Sequence, residues 1–122
     1  MSVEEREIVR RVERYYTVVD DNDLGELLDL FTGDATYHRP GYPPLVGRHR
    51  LAEFYGAERV IRRGRHTLCS VVADGRRVAV WGEFAGTLND GSRVELRFAD
   101  FFVAADDGRF SRRDTFFFAP MV

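Results

Sequence analysis

Two aspartates stand where a buried strand would ordinarily carry an apolar side chain. Along 93–104, alternation sets Arg93, Glu95 and Arg97 on one side and Val94, Leu96, Phe98, Asp100 and Phe102 on the other. Along the last apolar segment Phe110, Arg112, Asp114, Phe116 and Phe118 share a side. A carboxylate among phenylalanines is costly to bury unless it is protonated, paired or hydrogen-bonded. Asp100 and Asp114 are therefore candidates for acid–base chemistry. A three-residue loop, Asp106-Asp107-Gly108, predicts that they face each other about 5 Å apart at Cβ and share a proton. A two-residue loop would put them on opposite faces instead.

The same reckoning across Asp74-Gly75 sets His66 opposite Glu83, a carboxylate able to fix the ring tautomer and raise its basicity. Across Asp90-Gly91, a two-residue turn sets Trp81 opposite Asp100. One face then carries His66, Glu83, Trp81, Asp100 and Asp114. A three-residue turn, Asn89-Asp90-Gly91, would put Val80 there and turn Glu83 outward. Two basic residues, His38 and Arg39, stand where the segment Ala35-Thr36-Tyr37 gives way to a proline-rich loop. Either side chain can enter a pocket there, and the sequence leaves open which one does. Tyr55, Trp81, Phe98, Phe102 and Phe116 are the expected apolar wall. Histidines and carboxylates at these spacings carry no metal-ligand signature, and no metal or other cofactor is expected.

The elements that must position these groups follow from periodicity. Ile8, Val12, Tyr15 and Val19 recur at helical spacing and predict a first helix from about Val3 to Asp20. Asp23 begins a capping-box pattern with Glu26, and Leu24, Leu27, Leu28 and Phe31 predict a second helix ended by Gly33. A third is expected between Gly47 and Gly64, with Leu51, Phe54, Tyr55 and Glu58 on one side. After Gly64 the period becomes two, and the Asp-Gly pairs at 74, 90 and 107 are hairpin signals. They predict an antiparallel meander of four strands at 65–73, 77–88, 92–105 and 109–119. Helices first and a meander last is an α+β plan.

Composition bounds the rest. The chain of 122 residues has room for a single domain, 1–122, and its formal net charge of -2 offers no basic field for nucleic acid. A single cysteine, Cys69, excludes an internal disulfide, fits a reducing compartment and reads as a small core residue. No apolar run approaches the roughly 18 residues of a membrane span, and the charged N-terminus is unlike a signal sequence. A cytoplasmic location, with no membrane partner, is the expectation.

Nearly the whole chain, from VERYYTVVDDNDLGELLDLFTGDATYHRPG to RFADFFVAADDGRFSRRDTFF, resembles the SnoaL-like, nuclear transport factor 2-like superfamily. That superfamily includes ketosteroid isomerase, polyketide cyclases, limonene epoxide hydrolase, scytalone dehydratase and non-catalytic members. The resemblance implies a cone-shaped fold, in which a curved antiparallel sheet and three N-terminal helices enclose a pocket. The expected sheet is the four-strand meander plus a short N-terminal strand. A homodimer through the sheet is also implied. Tyr15 falls where the isomerase has its oxyanion-hole tyrosine, and Asp100 where it has a protonated aspartic acid. Arg39 stands in place of the isomerase base. Asp114 matches a catalytic aspartate of the epoxide hydrolase and Glu83 stands near the other, whereas Trp81 replaces the arginine between them. His66 resembles the pocket histidine of the dehydratases.

These residues together predict a cofactor-independent enzyme acting on a hydrophobic small molecule by general acid–base chemistry. Asp100 is the expected acid, Tyr15 a hydrogen-bond donor, His66 or Asp114 the base, and Arg39 an electrostatic clamp. Isomerisation, dehydration, cyclisation and epoxide opening all use such a kit. The competing reading is a non-catalytic binding or dimerisation module, in which Arg39 neutralises the acidic pair.

Overall fold

Ser2 starts the first helix by reciprocal capping. Its Oγ accepts from the Glu5 amide at 3.0 Å, and its own amide donates to Glu5 Oε1 at 2.8 Å. The helix, α1 (Val3–Asp20), buries Ile8, Val12, Tyr15, Tyr16, Val18 and Val19. Asp23 caps α2 (Leu24–Asp29), accepting from the Glu26 amide at 3.1 Å. The Glu26 side chain pairs with Arg14 on α1 rather than completing the box. α2 stops short of the expected Gly33, because Phe31 opens a strand, β1 (Phe31–His38). β2 (Leu45–Val46) precedes α3 (Arg48–Glu53), which runs directly into a π-helical turn, Phe54–Glu58. The backbone is extended at Arg59, and Gly64 lies inside β3 (Ile61–Asp74) rather than ending a helix.

β3, β4 (Arg77–Leu88), β5 (Arg93–Ala104) and β6 (Phe110–Phe118) form the expected meander. The computed structural model describes residues 1–118. Its sheet has six strands in the order β2-β1-β6-β5-β4-β3, with β1 parallel to β6. The fold is α+β, with α1 packed against one face of the sheet. Among the described residues, no helix is long and apolar enough to cross a membrane.

Two one-residue bulges decide which side chains face inward. The loop Asp106–Gly108 is the expected three-residue type, closed by the Ala105 amide donating to the Arg109 carbonyl at 2.8 Å. Ser111 then bulges out of β6, so Ala104 faces Phe110 but Val103 faces Arg112. Every later residue of β6 is displaced by one, which exchanges its two faces. Asp100 therefore faces Thr115, and Asp114 faces Phe101. The expected Asp100–Asp114 pair does not exist. Arg113 and Thr115 are buried, whereas Asp114, Phe116 and Phe118 turn outward.

Cys69 is the second bulge, between Leu68 and Ser70, and it is exposed rather than in the core. The turn before β4 is Gly75-Arg76, since Asp74 still pairs with Arg77. His66 consequently faces Phe84, and Glu83 faces Thr67 on the outer side. Between β4 and β5 the turn is Asn89-Asp90-Gly91, with the Leu88 amide donating to the Ser92 carbonyl at 2.8 Å. That sets Val80, not Trp81, against Asp100. Trp81 is 49% exposed on the outer face.

The core lies between α1 and the inner face. Tyr15 meets Phe102 edge-on at 5.5 Å, and Phe31 meets Phe110 at 5.6 Å. Each fully buried phenylalanine stabilises the fold by roughly 1.5–3 kcal/mol. Three glycines shape the inner face, and a Cβ on one of them, Gly86, would lie 2.7 Å from the Phe84 ring. A Cβ on Gly82 would lie 2.7 Å from the Phe98 ring, and one on Gly64 would lie 2.3 Å from the Phe84 ring. Both rings therefore lie flat against bare backbone, leaving space above them.

Candidate active site

Asp100 is 0% exposed, and its burial is satisfied by donors on three sides. Tyr16 donates to Oδ2 through a short hydrogen bond, Arg113 Nη2 donates to Oδ2 at 2.8 Å, and Thr115 Oγ1 donates to Oδ1 at 2.5 Å. Since Thr115 spends its only proton there, it accepts from the Tyr37 hydroxyl, 3.1 Å away. The Arg113 guanidinium is sandwiched between the Tyr15 and Tyr37 rings, 4.5 and 4.6 Å from their centroids. Burial pulls the Arg113 pKa down, but the Asp100 carboxylate and neighbouring tyrosines more than offset this and hold it above the ordinary value. Asp100 thus accepts from three neighbours and is buried behind Arg113 and Thr115. It is not the proton donor expected from the sequence.

Arg113 carries this network to the pocket. Its Nη1 donates to the Tyr55 hydroxyl at 3.1 Å, and that hydroxyl lies 2.6 Å from the Tyr15 hydroxyl. Burial raises Tyr55 to about 12 even though Arg113 pulls in the other direction. Burial likewise raises Tyr15 well above its ordinary value. Both hydroxyls keep their protons near neutrality; one proton bridges the pair and the other is available to donate.

His66 stands across the same pocket. Its partner is Asp20, the last residue of α1, rather than Glu83. Asp20 Oδ1 lies 2.6 Å from His66 Nδ1, and Oδ2 accepts the His66 amide at 2.8 Å. A carboxylate can only accept here, so Nδ1 carries a proton, and in the neutral imidazole the lone pair is on Nε2. The ring packs against Phe84 at 4.6 Å and Tyr16 at 5.1 Å. The pocket itself is tight, with about 30 Å³ of free volume. A groove of about 290 Å³ shares Tyr55 and Arg59 with it as lining residues.

Of the residues singled out from sequence, Tyr15, Tyr55, His66, Arg39 and Phe98 come together around this pocket. Phe102 lies in the core beneath it. Asp114, Glu83, Trp81 and Phe116 face the other side of the sheet and are no part of it. His38 also turns away, its Nδ1 3.0 Å from Asp114 Oδ1, so Arg39 is the residue that enters. Arg112 completes that outer cluster by donating to Asp114 at 3.0 Å. Glu83 instead borders a depression of about 430 Å³ on the outer face, beside Arg65, Thr67 and Arg97. Tyr16, Asp20, Tyr37, Arg113 and Thr115 escaped sequence reasoning. Tyr16 alone left a signal, as the helix neighbour of Tyr15. Among the described residues, no group of three or more His, Cys, Asp or Glu side chains is placed to hold a metal ion.

The family description "SnoaL-like domain" matches residues 12–113. The chain belongs to that family. Solved structures share the SnoaL-like fold at low sequence identity. The epoxide hydrolase/cyclase-like enzyme SalBIII, with a role in pyran ring formation in the polyether salinomycin, is 21% identical with a TM-score of 0.82. The match covers 93% of this chain and 92% of that one. An LEH-like epoxide hydrolase from M. tuberculosis is 22% identical over 94% of this chain and 85% of its own, with a TM-score of 0.82. An NTF2-like protein of unknown function from Burkholderia pseudomallei is 19% identical over 97% and 92%, with a TM-score of 0.84. SnoaL-like proteins of this shape thus include enzymes of small-molecule chemistry.

Proposed function

We propose that this SnoaL-like protein is a cofactor-independent enzyme that binds a small, largely apolar molecule and moves a proton within it. The Asp20–His66 pair carries this reading, because it presents a tautomer-fixed imidazole Nε2 to an aromatic-walled pocket. His66 is the general base, taking a proton from carbon, hydroxyl or water. Tyr55, with Tyr15 behind it, donates to the oxygen on which negative charge develops. Arg113 steadies that charge through Tyr55, and Asp100 is a positioning residue that holds Arg113. Isomerisation, dehydration, cyclisation and epoxide opening remain the candidate reactions.

The test is turnover across a panel of enones, epoxides and hydroxy ketones. His66→Gln should lower kcat by about 10²–10⁴-fold with the fold intact. Asp20→Asn should lower it less, since it disturbs the tautomer and leaves the base in place. An active wild type whose His66→Gln variant turns over at the same rate would refute the assignment.

A second reading concerns assembly. Trp81, Phe101, Phe116 and Phe118 are 49%, 48%, 55% and 71% exposed on the outer face of neighbouring strands. An aromatic surface of that kind favours burial against a second copy of the chain. Phe116→Glu should convert a dimer to a monomer in light scattering; an unchanged mass would rule this face out.

A further inference from the structure

Eight of the eighteen arginines are paired with an acid among the described residues. Arg14 pairs with Glu26, Arg50 with Glu58, Arg112 with Asp114, and the buried Arg113 with Asp100. Arg39 and Arg59, which line the pocket, have no carboxylate in ion-pair range among the described residues. Arg39 is half-buried, with its guanidinium 4.9 Å from the Phe54 centroid, 5.4 Å from Phe117 and 5.6 Å from Tyr42. Among the described residues its one hydrogen bond is a long 3.5 Å contact to the Tyr37 hydroxyl, and its buried Nε has no partner.

A guanidinium drawn out of water without a counter-ion is costly, and contact with aromatic faces returns only part of that cost. We propose that the missing counter-ion belongs to the ligand: the pocket takes an organic carboxylate with a flat apolar body, recognised by Arg39 and Arg59. The proposal rests on the acid–base reading of the same pocket and gives its substrate class. The pocket has room for little beyond the acid group, and the groove that shares Tyr55 and Arg59 with it as lining would receive the body. Arginine suits this role because its planar fork matches the two carboxylate oxygens and its faces stack on the aromatic walls.

The experiment compares 2-naphthoate with its neutral counterpart 2-naphthamide by calorimetry and amide chemical-shift mapping on the intact chain. Naphthoate should bind at least about tenfold more tightly, with shifts at Arg39, Tyr55 and Arg59, and the margin should shrink as sodium chloride is raised. Arg39→Gln should reduce the margin to about twofold or less, Arg59→Gln should reduce it partly, and Arg39→Lys should restore much of it. The salt series on wild-type protein tests the charge dependence even if a variant folds poorly. Equal affinities, no binding of either probe, or a preference that survives Arg39→Gln with Arg59→Gln would each overturn the proposal. Binding is read without turnover, so that failure leaves His66 as base untouched, and failure of the His66→Gln turnover test leaves the binding preference untouched.

Discussion

Asp100 and Asp114 occupy similar places in the sequence and opposite places in the molecule. Each interrupts a phenylalanine-rich strand, and each is bound by an arginine. The Asp100–Arg113 pair is 0% and 5% exposed at its side chains, whereas Asp114 and Arg112 are 22% and 53% exposed. Inside, water is excluded, so both carboxylate oxygens of Asp100 need protein donors, and Tyr16, Arg113 and Thr115 supply them. Outside, solvent and salt compete with the same kind of contact, and Asp114 is held by His38 and Arg112 without organising anything further. The same residue pair is an architectural element on one face and a surface feature on the other.

Breaking the inner pair is expected to have the largest effect. Asp100→Ala leaves the Arg113 charge buried and unpaired and should cost about 3–5 kcal/mol in chemical denaturation. The double replacement Asp100→Leu with Arg113→Met should cost far less, because it removes both charges together. Tyr16→Phe deletes one donor to a charged acceptor and should cost about 1.5–3 kcal/mol. Alkaline titration sharpens the comparison next. Burial raises the folded-state values of Tyr15, Tyr16 and Tyr55, the last from 10.0 to about 12. The unfolded chain therefore loses these protons first, so stability is full below pH 10 and falls as pH rises from 10 toward 12. Thermal midpoints across that window should decline in wild-type protein and decline less steeply in Tyr55→Phe. At the small end, Asp114→Ala should leave the midpoint where it was. A loss there comparable with that of Asp100→Ala would erase the distinction between the two faces.

Local chemistry made the helices and turns legible. The stripe through Ile8, Val12, Tyr15 and Val19, the Asp23 cap and the loop at 106–108 are all present where sequence places them. The site was less legible because strand faces depend on parity. Bulges at Cys69 and Ser111 each add one residue, and neither position has a composition that announces it. One shift removed Asp114 from the interior and brought in Arg113; the other separated His66 from Glu83. The true partner of His66, Asp20, comes from the end of a helix 46 residues away, a contact that only tertiary packing creates. Tyr15, Tyr55 and Arg39 could be singled out beforehand because aromatic and basic residues at those places needed no register to be noticed.

The flat rings of Phe84 and Phe98 make pocket size an inherited property of backbone that no ligand touches. Gly64 and Gly82 act as recesses into which these rings recline. A methyl group in either recess would meet a backbone carbonyl as well as the ring, Ala85 O at 2.8 Å from Gly64 and Thr67 O at 2.5 Å from Gly82, so ring and strand would have to shift together beneath His66. In this fold, pocket size depends on positions outside the pocket's own lining.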